Sequence, residues 1–174
     1  MRASYYFAYG SNMHLGRMVA RLARVRFLET ALLGEHTIRF HKRGRDGSGK
    51  CNVIADPERH VAGAIYRLES QELSRLDRIE GSGYKRIPIV VFGIGSRRRY
   101  RANCYVAKAV AIEDSLIPFD WYRDIVAAGA AHLGLQQDYV DWLRSFPART
   151  DPNRIRHRTN RAVMERAKLN IGKV

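Results

Sequence analysis

The stretch Tyr5-Tyr6-Phe7-Ala8-Tyr9-Gly10-Ser11-Asn12-Met13 decides the fold expected of this sequence. Its aromatic residues alternate along the chain, which is the period-two pattern of a β-strand, and the run ends at the turn-forming Gly10-Ser11-Asn12. Apolar residues then recur at helical spacing from Met13 to Leu22. A strand therefore leads through a polar loop into a short helix, and backbone N–H groups at such a junction can hold an anion such as a carboxylate.

The same loop has a second interpretation. An ordinary turn followed by an Asn or Ser helix cap shows the same pattern and binds nothing. Ser11 as a nucleophile is disfavoured, because Met13 stands where the second glycine of a G-x-S-x-G elbow is required. The anion-binding loop and the plain turn are therefore both kept as alternatives at this point.

The composition describes a globular protein with a basic bias. The chain has 174 residues, enough for one domain, and 45% apolar residues exclude disorder for most of it. The net charge of +14 attracts nucleic acid, anionic lipid or acidic metabolites without specificity. No stretch approaches the ~20 apolar residues of a membrane span, and residues 1–10 do not resemble a signal peptide. We expect a cytoplasmic protein with no membrane contact.

The middle of the chain predicts a strand-rich fold. Short apolar runs separated by turn residues from Val25 to Leu68 predict several short strands in a meander or barrel. Residues 87–94 and 99–107 flank a turn and predict a hairpin.

Helices are predicted at three places in the sequence. Ser70 is the expected N-cap of a helix over residues 71–79 that Gly81 ends. A period of 3.6 residues predicts two further helices, over 121–133 and 137–146. Strands followed by helices indicate the α+β class.

Residues 148–174 form a basic C-terminal tail. They hold eight basic and two acidic residues, and thus supply +6 of the net charge. We therefore divide the chain into a domain over 1–147 and a basic extension over 148–174, with a short helix near 161–169. Nucleic acid is not an expected partner of the domain itself, and any contact with it would come through this extension.

Glu80 stands at the end of the helix predicted over 71–79. A carboxylate at this end faces the negative end of the helix dipole, an unfavourable placement by ~0.3–1 kcal/mol. Such a placement can mark a general acid or base, although a solvated surface glutamate is the commoner explanation.

Gly44 to Cys51 nearly matches the nucleotide-binding P-loop pattern, and we reject the match. Cys51 replaces the hydroxyl that would bind magnesium, and residues 52–55 resemble a strand rather than the helix a P-loop requires. The tip of a flexible basic hairpin explains the segment. The histidines and cysteines show no metal-ligand spacing, so we expect neither a metal nor another cofactor.

Several of these segments together resemble the γ-glutamylcyclotransferase family. The resemblance is carried by residues 5–13, by Leu76-Asp77-Arg78-Ile79-Glu80-Gly81 ahead of Tyr84, and by the helical stretches 119–130 and 134–140. It covers about residues 4–146. It implies a small mixed β-barrel flanked by helices, and an enzyme that converts a γ-glutamyl amino acid or amine into 5-oxoproline and the free amino acid or amine.

The resemblance also assigns site residues. Glu80 matches the family's catalytic acid/base, and the loop that follows the first strand matches the segment that holds the substrate's α-carboxylate and orients its γ-carbonyl. The positions that match substrate-binding residues are Tyr9, Gly10, Ser11, Asn12, Met13, Tyr84 and Tyr105.

The sequence is compatible with more than one substrate, role and oligomeric state. Asn12 stands where glutathione-specific relatives have leucine, which argues against glutathione as the substrate. The alternative function is a non-catalytic binding module of the same fold whose basic tail contacts RNA or an acidic partner. A homodimer is compatible with the sequence, as is a monomer.

Overall fold

A computed structural model describes the backbone of residues 3–170 and the side chains of residues 4–163. In this part of the chain five strands close into a barrel in the order β1-β3-β2-β4-β5. Neighbouring strands are antiparallel except β1 and β5, which are parallel. The strands are β1 (Ala3–Ala8), β2 (Arg26–Arg43), β3 (Gly49–Glu69), β4 (Tyr84–Gly93) and β5 (Arg99–Ala107).

Helices flank this barrel, which confirms the predicted α+β class and the mixed β-barrel. None of the helices in the described residues is long and apolar enough to cross a membrane. The helices are α1 (Leu15–Arg21), α2 (Ser70–Glu80), α3 (Asp120–His132), α4 (Gln137–Ser145) and α5 (Arg154–Asn170), with 3₁₀ turns at Ser11–Met13 and Ala109–Ala111.

The prediction of several short strands between residues 25 and 68 is wrong, because β2 and β3 run through the expected turns at Gly34 and Asp56-Pro57. The pairing register shifts beside Gly34, and residues 56–59 are not paired with β2. Glu35 in β2 takes a φ of +56°. This irregularity is a β-bulge, in which residues of one strand have no partner on the other. A bulge bends a strand and increases its twist, so the two long strands curve around the barrel without an intervening turn.

Two predicted helix starts are also corrected. Glu69 occupies the N-cap of α2, and Ser70 is the first helical residue. The tail helix α5 begins at Arg154, seven residues before the predicted start. The reason is Asn153, whose side-chain oxygen accepts a hydrogen bond of 2.9 Å from the N–H of Arg156 and so caps the first turn.

Two apolar clusters fix where the helices lie. The larger joins the barrel interior to α3 and α4, and Phe7, Ile65 and Ile125 are fully buried in it. The second packs α1 and α2 against β1 and β3, through residues that include Leu73 and Leu76. Because α2 is held by these leucines, its last residue is placed at a fixed position beside the end of β1.

The start of the C-terminal extension is docked on the domain. The Asp151 side chain is buried, and its carboxylate accepts hydrogen bonds from Trp121 Nε1 at 2.8 Å and from Arg156 Nε and Nη2 at 2.6 and 2.7 Å. The bonds from the Arg156 guanidinium, above all, lower the pKa of Asp151 to about 2. This ion pair joins the first turn of α5 to α3.

The Asp151 contacts predict an acid-sensitive contribution to stability. Asp151→Asn should lower the free energy of unfolding at neutral pH by about 1–3 kcal/mol, the cost of a buried hydrogen bond to a charged group. Since the pKa of Asp151 is lower in the folded state, its contribution is complete above about pH 4 and is lost as the pH falls toward 2. Urea titrations of both proteins at several pH values measure this. The difference should shrink on acidification.

The matched control is Asp141→Asn, because Asp141 is exposed and pairs with Arg144 on the surface of α4. This variant should change stability by no more than about 0.5 kcal/mol. A loss at Asp151→Asn that is no larger than the control, or one that does not depend on pH, would contradict the assignment.

Candidate active site

A pocket opens where the end of β1, the end of α2 and the first residues of β4 meet. Its free space, including the open mouth, is about 300 Å³. Five of the ten lining side chains are tyrosines. The pocket is lined by Tyr6, Tyr9, Gly10, Ser11, Asn12, Cys51, Glu80, Tyr84, Tyr105 and Tyr122.

Glu80 is the one carboxylate among the described residues that line this pocket. Its Oε1 accepts hydrogen bonds from Asn12 Nδ2 at 2.9 Å and from Arg21 Nη1 at 3.2 Å. Arg21 also donates to Asn12 Oδ1 at 2.7 Å, so the three side chains bond to one another in a closed set. Both bonds go to Oε1, and in the part of the chain that the structure describes Oε2 remains available to a ligand.

The loop after β1 forms one wall of the pocket. A side chain at Gly10 would place its β-carbon 3.1 Å from that of Cys51, so a larger residue there would crowd Cys51. Ser11 and Asn12 open a 3₁₀ turn, and N–H groups at the start of a helical turn have no acceptor within it. Met13 donates its N–H to the Gly10 carbonyl at 2.9 Å.

The tyrosines hold the walls through hydrogen bonds to the protein. The Tyr9 hydroxyl donates to the Tyr105 carbonyl at 2.5 Å, and the Tyr84 hydroxyl donates to the Cys51 carbonyl at 2.6 Å. Tyr105 donates to Asp77 Oδ1 at 2.7 Å. Burial raises the pKa of Tyr9 and Tyr84 well above its usual range, so these phenols stay neutral.

Cys51 is not a nucleophile in this arrangement. Burial raises the pKa of its thiol far above the usual range, so the reactive thiolate does not form at neutral pH. Its role in the pocket is to pack, and its backbone accepts and donates hydrogen bonds to the tyrosines on either side.

The structure brings the predicted site residues together, with one exception. Met13 does not line the pocket, because its side chain is fully buried in the core and its N–H is already bonded to Gly10. The predicted residues that line the pocket are Tyr9, Gly10, Ser11, Asn12, Glu80, Tyr84 and Tyr105.

Sequence reasoning missed Tyr6, Cys51, Tyr122 and Arg21. Helical spacing places Arg21 on the polar side of α1, away from its apolar stripe. An ordinary surface arginine has the same position, so the spacing does not identify Arg21 as a site residue. Nothing in the local pattern shows that this face of α1 lies against the end of α2. The aromatic character of Tyr6 is visible in the sequence, but an alternating strand alone does not tell which of its two faces lines a site.

The segment that resembles a P-loop is the turn between β2 and β3, as predicted. Gly47 takes a φ of +75°, and Lys50 forms an ion pair of 2.7 Å with Asp46 across the turn. The Lys50 ammonium group is therefore paired with a carboxylate of its own turn.

Comparison with known proteins identifies the family. Residues 6–124 match the model of a family described as "Gamma-glutamyl cyclotransferase, AIG2-like". The chain belongs to this family. A γ-glutamylcyclotransferase of Bos taurus is 28% identical over 148 residues, with 81% of this chain and 77% of that protein covered. One of Mus musculus is 25% identical over 146 residues, with the same shares covered.

The γ-glutamyl cyclotransferase fold is also found among solved structures. One named γ-glutamyl cyclotransferase superposes with a TM-score of 0.83 at 20% identity, covering 95% of this chain and 99% of that one. A share of 95% exceeds what residues 1–147 supply, so the match includes part of the extension. The sequence resemblance stops near residue 146, whereas the shared fold continues beyond it.

The buried phenols predict an unusual alkaline titration. The chain has nine tyrosines, and burial raises the pKa of Tyr6, Tyr9 and Tyr84 well above about 10. Ultraviolet absorbance of the folded protein should therefore show fewer than nine tyrosinates at about pH 11. The rest should appear in a single step on unfolding. Because these pKa values are raised in the folded state, stability should fall as the pH rises above about 10.

Denatured protein, in which all nine tyrosines titrate together, is the reference for this measurement. Tyr84→Phe should remove one of the late-titrating groups while leaving the early ones unchanged. Full ionisation of nine tyrosines near pH ~10 in a chain that still shows its native circular dichroism would rule out this description of the pocket.

Proposed function

We propose that this protein is a γ-glutamylcyclotransferase, which converts a γ-glutamyl amino acid or γ-glutamyl amine into 5-oxoproline and the free amino acid or amine. The observation that carries the proposal is the Glu80 carboxylate in the pocket, bonded through one oxygen to Asn12 and Arg21. Membership of the family and the names of the mammalian relatives support it.

Glu80 acts as the general base and then as the general acid. Its carboxylate takes a proton from the substrate's α-ammonium group, and the free amine attacks the γ-carbonyl carbon of the same molecule. A C–N bond forms and the carbonyl electrons move to oxygen. When the carbonyl re-forms, the bond to the leaving nitrogen breaks as Glu80 returns the proton to it.

The proton balance closes over two transfers. The α-nitrogen changes from an ammonium group to a ring N–H and so loses two protons, while the leaving nitrogen gains two and departs as an ammonium group. Glu80 is a carboxylate again after the first transfer and can carry the second. The reaction therefore needs no cofactor, and we propose that none takes part.

Much of the acceleration comes from positioning. Ring closure competes with the many open conformers of a γ-glutamyl chain, so a site that holds the near-attack geometry removes a large part of the barrier. We assign the substrate's α-carboxylate to the loop after β1, where the N–H groups of Ser11 and Asn12 have no acceptor in the 3₁₀ turn. Tyr9, Tyr84 and Tyr105 form walls that restrict water.

The substrate range and location follow from the same residues. Asn12 bonds Glu80 where glutathione-specific relatives have leucine, and we propose that glutathione is a poor substrate. Cys51 and Cys104 are both free thiols, which agrees with a cytoplasmic enzyme. The binding-module alternative is not favoured, because Glu80 is present in the pocket and Arg156 of the basic extension is engaged by Asp151.

The proposal is tested by 5-oxoproline release. Purified protein is incubated with γ-glutamyl amino acids, γ-glutamyl amines and glutathione, and the products are measured by mass spectrometry. Glu80→Gln should keep the fold, since the amide has the same shape and an oxygen that can still accept from Asn12 and Arg21. It should lower turnover by at least about 10²–10⁴-fold, because the amide cannot take the proton.

The control is Glu58→Gln, because Glu58 is exposed on β3 and does not line the pocket. This variant should turn over substrate at the wild-type rate. A folded Glu80→Gln protein that remains as active as Glu58→Gln would exclude Glu80 as the acid/base. Absence of release by the wild type with every compound would remove the proposed activity itself.

A further inference from the structure

Lys42, near the end of β2, is a buried lysine without an acidic partner. Only 8% of the residue is exposed, and lysines this buried are almost always paired with a carboxylate. Among the described residues, no carboxylate oxygen lies within the 4.0 Å ion-pair distance of its ammonium group. Its Nζ lies 4.7 Å from the centre of the Tyr84 ring, and Tyr84 lines the pocket.

The carboxylates around Lys42 are all engaged by other cations. Each has an arginine or lysine within ion-pair distance, so none of them forms a direct ion pair with Lys42. The pairs are Glu80 with Arg21 at 3.2 Å, Asp46 with Lys50 at 2.7 Å, and Glu113 with Arg43 at 2.7 Å.

The Lys42 side chain lies against the segment that joins α2 to β4, residues 81–84. A β-carbon on Gly83 would be 3.0 Å from Lys42 Nζ, so the absence of a side chain there makes room for the lysine. The Arg45 guanidinium lies against the same segment, with Nη2 3.1 Å from where a β-carbon on Gly81 would stand. Two cations therefore flank the segment that connects Glu80 with Tyr84.

The charge of Lys42 interacts electrostatically with the carboxylate of Glu80 in the pocket. Burial lowers the pKa of Lys42, and the negative charges of Glu80 and Asp46 act in the opposite direction. Arg45 lowers it further by repulsion. The region next to the catalytic carboxylate thus holds excess positive charge that the protein does not neutralise, which is the electrostatic character of a site for an anionic ligand group.

We propose that Lys42, with Arg45 as a second cation, binds the carboxylate of the leaving amino acid, so that the enzyme selects γ-glutamyl amino acids over γ-glutamyl amines. The inference rests on the proposed function and specifies its substrate class. A γ-glutamyl amino acid carries two carboxylates, one on the glutamyl part and one on the leaving group, whereas a γ-glutamyl amine carries the first alone. The loop after β1 accounts for the first, and Lys42 accounts for the second.

The kinetic test compares γ-glutamyl-alanine with γ-glutamyl-alaninamide, which differ only in the charge of the leaving group. Lys42→Met keeps the aliphatic stem and removes the charge. It should lower kcat/KM for the acid by about 10- to 100-fold, the effect of one charge-assisted contact, and leave the amide within about twofold. Lys42→Arg should retain part of the preference. Lys85→Met, at an exposed position of β4, is the control and should change neither value.

Stability gives a readout that a structural role would move in the opposite direction. A buried charge without a partner is unfavourable, so Lys42→Met should have a Tm equal to or above that of the wild type in the absence of ligand. A variant that does not fold, or that loses stability and turns over both compounds less well by equal factors, would assign the charge to the fold and overturn the proposal. An unchanged preference for the acid would also overturn it.

Binding separates this proposal from the proposed function. Calorimetry in the Glu80→Gln background measures the Kd of both compounds without turnover, and adding Lys42→Met should weaken the acid about 10- to 100-fold and the amide hardly at all. If the wild type released no 5-oxoproline but this difference in binding remained, the activity would be wrong and the carboxylate site would stand. If neither compound bound, or Lys42→Met made no difference, the carboxylate site would fall.

Discussion

The carboxylate of Glu80 accepts hydrogen bonds from Asn12 and Arg21, and these two bonds connect three segments of the chain that share no local structure. Asn12 follows β1, Arg21 ends α1 and Glu80 ends α2. A charged network of this kind is stabilising only if every member is satisfied in a fixed geometry. The barrel and the apolar packing of α2 supply that geometry, because they fix the ends of β1 and α2 beside each other.

The described lining of the pocket combines one carboxyl side chain with walls of neutral phenols. The phenols around it stay protonated because burial raises their pKa, so they add hydrogen-bonding groups without adding charge. In such surroundings the charges of Glu80, Arg21 and Lys42 act over longer distances than they would in water. The arrangement suits a substrate that carries both an ammonium group and carboxylates, since each charged group then has a separate counterpart.

The described part of the basic extension contains both docked and exposed side chains. Its first residues are tied to α3 by the buried Asp151, which bonds Trp121 and Arg156, so they belong to the packed fold. Ile155, which precedes Arg156 in the first turn of α5, and Arg158 in the next turn are exposed. A high count of arginines therefore does not by itself define a binding tail, because some of those charges hold the helix in place.

The sequence by itself determined the local elements of this protein and the position of the loop that follows β1. Alternation in β1, the helical period of α3 and α4, and the glycine that ends α2 are properties of neighbouring residues, so they could be predicted. The resemblance added Glu80 and the loop over 9–13, because both match family motifs that are continuous in the chain.

The tertiary structure alone decided which distant residues meet. Two long strands with a bulge at residues 56–59 stand where local turn signals predicted several short strands, because a bulge lets a strand bend without ending. Arg21, Cys51 and Tyr122 reach the site from separate elements, and the burial of Met13 and Lys42 depends on how the helices and strands pack. Contacts between residues far apart in sequence leave no periodic pattern, and the charge balance around Lys42 therefore emerges only when the chain is folded.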